Sequence, residues 1–176
     1  MNGSESERYP LGRFERCLEM PDAGRRTALI GVIETTPSEI RGLVASLDAG
    51  GLDTPYRDGG WTIRQVVHHV PDSHMNAYLR MKLAVTETAP AIKLYDEVRW
   101  AELPDARSGP IGPSLDLLDA LHRRWVPFLR ALSPEELRMT YLHPDWGAVP
   151  VYEGLALYAW HGRHHTAHIR NAVARL

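Results

Sequence analysis

The sequence predicts an all-α protein: an up-down four-helix bundle with a long crossover and a small β-hairpin before the last helix. Three observations lead there. Four long stretches carry apolar residues at three- and four-residue steps, the period of a helix packed along one side. A proline-rich connection from Thr88 to Pro113 separates the second stretch from the third. Met139 to Val151, just before the fourth, instead places Tyr141, Leu142, Val149 and Val151 around Pro144-Asp145-Trp146-Gly147, which reads as a hairpin or extended loop. A length of 176 residues suits one domain, 1–176, with 1–22 as an irregular arm.

The arm is polar and broken by Gly3, Pro10, Gly12 and Pro21, with Tyr9, Leu11 and Phe14 free to pack on the body. From Ala23 to Leu47 the stripe is Leu29, Ile30, Ile33, Ile40, Leu43, Val44 and Leu47. Pro37 interrupts it, so either one kinked helix or two helices meeting at Thr36 should form. Ala49 to Gly60 is glycine-rich and reads as a loop. Thr62 can then cap a second helix and Gln65 can close its capping box, with the helix running to about Thr86. Its inward stripe holds Ile63, Val66, Val67, Val70, His74, Ala77, Met81 and Ala84. Pro71 frees the carbonyl of Val67 and bends the axis beside His68 and His69.

The crossover has one short helical candidate, Tyr95 to Leu103, and its Tyr95 and Trp100 are expected over the end of the core. Ser114 is expected to cap a third helix reaching about Leu132, with His122 on its stripe as a hydrogen-bonded core histidine. Ser133-Pro134-Glu135-Glu136 combines an N-cap, a first-turn proline and a capping-box glutamate, so a short helix starts there.

Composition narrows the partners. A net charge of −2 gives no electrostatic reason to bind nucleic acid or an anionic membrane, so the substrate should be a small molecule. Cys17 is the only cysteine and cannot form an internal disulfide. No apolar run reaches the roughly 18 residues of a membrane span, and the N-terminus lacks a signal-peptide core; a cytoplasmic protein is expected.

The chemistry concentrates in the last stretch, Tyr152 to Arg175, where four of the nine histidines are His161, His164, His165 and His168. Residues four apart on a helix share a face about 5 to 6 Å apart at Cβ, so His161 and His165 can close on one metal ion. His165 lies one turn before Ile169 on the apolar stripe, whereas the competing pair, His164 and His168, is rotated toward its edge. Those two are placed as flanking groups, able to orient a ligand or shuttle a proton. A third ligand must come from elsewhere. The second helix offers His68 and His69, and its helix wheel leaves the two nearly even.

Three stretches resemble the DinB superfamily, and more closely its YfiT-type metal-dependent hydrolases: Tyr56 to His69, Asp72 to Asn76, and Tyr158 to Ile169. The resemblance implies His69 as the third ligand, eight residues after Trp61, with His161 and His165 as the pair. Pro71 departs from the pattern, which bears on the local shape of the second helix. The resemblance also implies a cytoplasmic homodimer with one divalent ion per subunit, zinc foremost or nickel. Three imidazoles leave coordination positions open, the arrangement of a catalytic site. A hydrolase activating water is the leading expectation. A transferase acting on a low-molecular-weight thiol such as bacillithiol, mycothiol or glutathione uses the same ligands, and a non-catalytic metal-binding protein is the third reading.

Overall fold

A computed structural model describes residues 3–176, with side chains from Glu5 onward; the first two residues of the expected arm lie outside the described residues. The elements are α1 (Gly3–Arg8), α2 (Ala23–Val44), α3 (Ala49–Leu52), α4 (Ile63–Thr86), α5 (Glu97–Ala101), α6 (Pro104–Ser108), α7 (Gly112–Ala131), α8 (Pro134–Arg138), β1 (Thr140–His143), β2 (Gly147–Pro150) and α9 (Val151–Val173). The bundle is α2, α4, α7 and α9, and β1 pairs antiparallel with β2 directly before α9. Among the described residues no helix is long and apolar enough to cross a membrane.

Local sequence starts most of these helices. Asp22 Oδ1 accepts from the Arg25 N–H at 2.7 Å, capping α2. That helix continues through Pro37 without dividing. Thr62 and Gln65 close the expected capping box of α4, at 3.2 and 2.9 Å, satisfying two otherwise orphan N–H groups. Ser133 and Glu136 do the same for α8. The start of α7 differs from expectation. It begins at Gly112, with Pro113 in the first turn and no side-chain cap; the Ser114 hydroxyl instead meets His68 Nδ1 at 2.7 Å. Two elements expected to be irregular contain short helices, α1 in the arm and α3 in the glycine-rich loop.

Two apolar clusters fill the bundle and reveal its helix directions. One contains Ile30, Ile33, Ala77, Met81, Trp125, Leu129, Val151 and Leu155. The other contains Ile40, Val44, Ile63, Val66, Leu115, Leu118 and Ile169. Each long helix passes from one cluster to the other, and α2 and α9 run one way while α4 and α7 run the opposite way. The order is therefore up, down, down, up. Parallel neighbours such as α4 and α7 need a connection that returns along the bundle, which is what the crossover provides.

The crossover starts beside β1, where Ile92 N–H donates to Leu142 O at 3.1 Å and Leu142 N–H to Pro90 O at 2.9 Å. It then runs back along α4 rather than over the end of the core, with Gln65 Nε2 donating to Ala101 O at 2.8 Å. The arm is pinned to α9. Arg16 Nε and Nη2 donate to the two carboxylate oxygens of Glu153 at 2.6 and 2.9 Å.

Candidate metal centre

α9 places His161 and His165 one turn apart with ring centres 4.4 Å from each other. α4 crosses beside them and supplies His69, whose Nε2 lies 3.3 Å from His161 Nε2. One nitrogen from each of the three rings lies within 4.8 Å of the others. His68 turns away from this group: its Nδ1 meets Ser114 and its Nε2 meets Gly109 O at 3.3 Å. The neighbouring histidines that the helix wheel left nearly even are thus separated by their partners across the fold.

The flanking histidines occupy different surroundings. His168 stacks on Tyr56 with ring centres 4.0 Å apart, and its Nε2 lies 3.1 Å from Arg8 O. A carbonyl only accepts, so His168 carries its proton on Nε2. Burial, first of all, lowers the His168 pKa to about 4, so its Nδ1 is bare and accepts from His165 Nδ1 at 3.4 Å. His165 then presents a bare Nε2. His164 stacks on Trp160, ring centres 4.4 Å apart, and its buried Nδ1 has no hydrogen-bond partner among the described residues.

Burial also governs the central three. It lowers His69 to about 4, and neighbouring imidazoles reinforce it at His161 and His165, whose pKa values fall well below the ordinary value. Neutral imidazole nitrogens are the donors a divalent ion requires. The spacing of one pair, His69 and His161, fits as well. Two nitrogens about 2.0–2.1 Å from a tetrahedral zinc stand roughly 3.3–3.4 Å apart, against 3.3 Å between His69 and His161.

All three line one cavity of about 700 Å³, walled by the arm, the loop before α4, the crossover and the hairpin. Ser73, Arg80, Tyr95 and Tyr158 line it too. Ser73 Oγ stands 3.5 Å from His161 Nε2. Burial raises the Tyr95 phenol above its ordinary pKa, partly offset by its hydrogen bond to Ser73. Sequence reasoning missed these residues as site groups. A signal existed for Ser73, one turn after His69, and for Arg80 two turns further on the same face; none existed for Tyr95. His143 is half-buried at the rim, its Nδ1 accepting from Asp145 and Trp146 N–H at 3.2 and 3.3 Å. Asp72, which opens the second of the three stretches that carry the resemblance, is not among the described residues that line the cavity.

A four-helix bundle with three converging imidazoles defines the class, and comparison agrees. The chain belongs to the DinB superfamily, whose profile matches residues 33–169. A Bacillus cereus relative, 52% identical over 96% of both chains, is named "Putative metal-dependent hydrolase". The structure of YfiT from Bacillus subtilis, described as a probable metal-dependent hydrolase with an unusual four-helix bundle topology, matches over 97% of both chains with a TM-score of 0.92 and 42% identity. A second four-helix bundle protein shares the fold at a TM-score of 0.56 and 20% identity, over 81% of this chain and 95% of its own.

Proposed function

We propose that the protein is a metal-dependent hydrolase of small molecules, in which His69, His161 and His165 hold one divalent ion, zinc foremost. The observation that carries this is the convergence of three neutral imidazoles from two helices at the wall of an open cavity. An ion with three protein ligands keeps a coordination position for water or substrate and supplies Lewis acidity there. The names of the relatives support the same reading.

The chain's own groups have distinct roles in this reading. His168 is a positioning residue that fixes the His165 tautomer through the Arg8 carbonyl. His164 lines the cavity and is the group this reading assigns to proton movement. Tyr95, held as a neutral phenol, can donate a hydrogen bond to a substrate oxygen, and Arg80 offers a cation to an anionic substituent. Zinc-loaded protein screened on ester, amide and lactam panels should turn over at least one class, and His165→Ala should abolish that turnover. Conjugation of a low-molecular-weight thiol to an electrophile, without hydrolysis, would replace this reading with thiol transfer.

A further inference from the structure

Behind the cavity, two more histidines continue inward from His161. His161 Nδ1 lies 3.1 Å from His74 Nε2, and His74 Nδ1 lies 2.8 Å from His122 Nε2. His122 Nδ1 ends the run 2.6 Å from the carbonyl of Ile33. His74 is 0% exposed and His122 2%. Trp125 stands edge-on to both rings, and Tyr158 edge-on to His74, filling the surrounding space with aromatic carbon.

The terminal carbonyl is available for a reason written in the sequence. In an α-helix the Ile33 oxygen would accept from the N–H of residue 37, and residue 37 is Pro37, which has none. A buried orphan carbonyl costs free energy unless a donor reaches it. His122, from α7, is that donor.

From this end the polarity of the whole run follows. A carbonyl cannot donate, so His122 carries its proton on Nδ1. Both rings are shut away from water, and the groups hydrogen-bonded to them are imidazoles and a carbonyl with no carboxylate among them, so both are neutral. A neutral His122 has a bare Nε2, and His74 must donate to it from Nδ1. His74 Nε2 is then bare, and His161 must donate to it from Nδ1. The reverse polarity would leave a bare His122 Nδ1 facing the lone pairs of the Ile33 carbonyl 2.6 Å away.

We infer that the run Ile33–His122–His74–His161, which draws one group from each bundle helix, locks His161 as its Nδ1–H tautomer and keeps Nε2 bare toward the cavity. A free histidine side chain in water favours the opposite tautomer. His74 and His122 are thus positioning residues for a cavity they do not line, and Pro37 is the residue that opens their anchor. The run gives His161 what the Arg8 carbonyl and His168 give His165. Its metal consequence rests on the ligand role proposed above; its tautomer consequence does not.

The two can be tested apart. Long-range ¹H–¹⁵N correlation spectra of the metal-free, ¹⁵N-labelled full chain should show protonated Nδ1 and bare Nε2 for His122, His74 and His161. An Nε2-protonated His74 or His161 would overturn the inference. Variants at His74 add the functional half. In His74→Gln the amide oxygen can accept from His161 and the amide nitrogen can donate to His122, so polarity is kept; in His74→Leu it is lost. With folding checked by circular dichroism, His74→Leu should weaken zinc binding by roughly 10–100-fold, the effect usual for removing a ligand's partner, while His74→Gln should recover most of it. Equal weakening by both, or none by His74→Leu, would contradict the positioning role. Correct tautomers in a protein that binds no zinc would leave the run standing and remove the hydrolase reading instead.

Discussion

Gly162 of α9 passes so close to Thr36 of α2 that a Cβ on Gly162 would stand 2.8 Å from Thr36 Oγ1 and 3.2 Å from its methyl carbon. Thr36 cannot easily yield, because it is buried and its hydroxyl donates to Val32 O at 2.7 Å. Gly162 follows His161 directly and lies within the turn ending at His165. Gly162→Ala should therefore cost about 1–3 kcal/mol of stability and also displace the paired imidazoles, weakening metal binding. Thr36→Ala in the same chain removes both clashing atoms and should restore part of each loss. Purely additive effects in the double-mutant cycle would contradict the contact.

The arm's attachment can be tested at Arg16. Its partner Glu153 has a side chain only 2% exposed, while that of Arg16 is 38% exposed. Arg16→Ala leaves a buried carboxylate without its cation, which costs roughly 3 kcal/mol, the low end for a buried pair because Arg16 reaches solvent. Replacing both, as Arg16→Ala with Glu153→Leu, should recover most of the loss in urea unfolding. Limited proteolysis should also cut between residues 9 and 22 faster in Arg16→Ala than in the parent chain.

Much of this fold was legible because local chemistry agreed with the outcome. The capping boxes at Thr62–Gln65 and Ser133–Glu136, the hairpin around Asp145 and the core placement of His122 all follow from short-range pattern. Ser114 misled because its hydroxyl had a competing partner, His68, more than forty residues away in sequence. α1 and α3 are too short to be stable alone and owe their form to tertiary contact. The same limit applied to His69 and His68: the wheel could not separate them, and it was Ser114 and Gly109 that drew His68 aside. That His161 and His165 share one helix face was legible from spacing, but the groups that fix their tautomers, Arg8 O and Ile33 O, come from remote backbone.

That distinction between the adjacent histidines makes its own prediction. His68→Ala should cost stability, since it removes a buried hydrogen-bonding group, yet leave the zinc stoichiometry of the protein unchanged. His69→Ala should do the reverse. Zinc loss in His68→Ala equal to that in His69→Ala would reassign the third ligand.

Asp72 gives the pH dependence a definite sign. Burial, then the charge of Asp105, raises its pKa to about 6. The folded state thus holds a proton on Asp72 that the unfolded chain, titrating near the ordinary 3.8, has already released. The contribution of Asp72 to stability is full below pH 3.8, falls as pH rises through about 6, and is a constant penalty above that. Asp72→Asn should accordingly raise the melting temperature at pH 7.5 and leave it unchanged at pH 3.5. A stabilisation of equal size at both pH values would show that the carboxyl is not the cause.

The central claim is that His69, His161 and His165 together hold one divalent ion, and equilibrium zinc binding to the parent chain and to its three single alanine variants tests it most directly. The parent chain should bind one ion, with each variant weakened by more than about 100-fold because an incomplete ligand set loses most of its affinity. Binding in all three variants as tight as in the parent chain, or a parent chain that takes up no zinc, would contradict it.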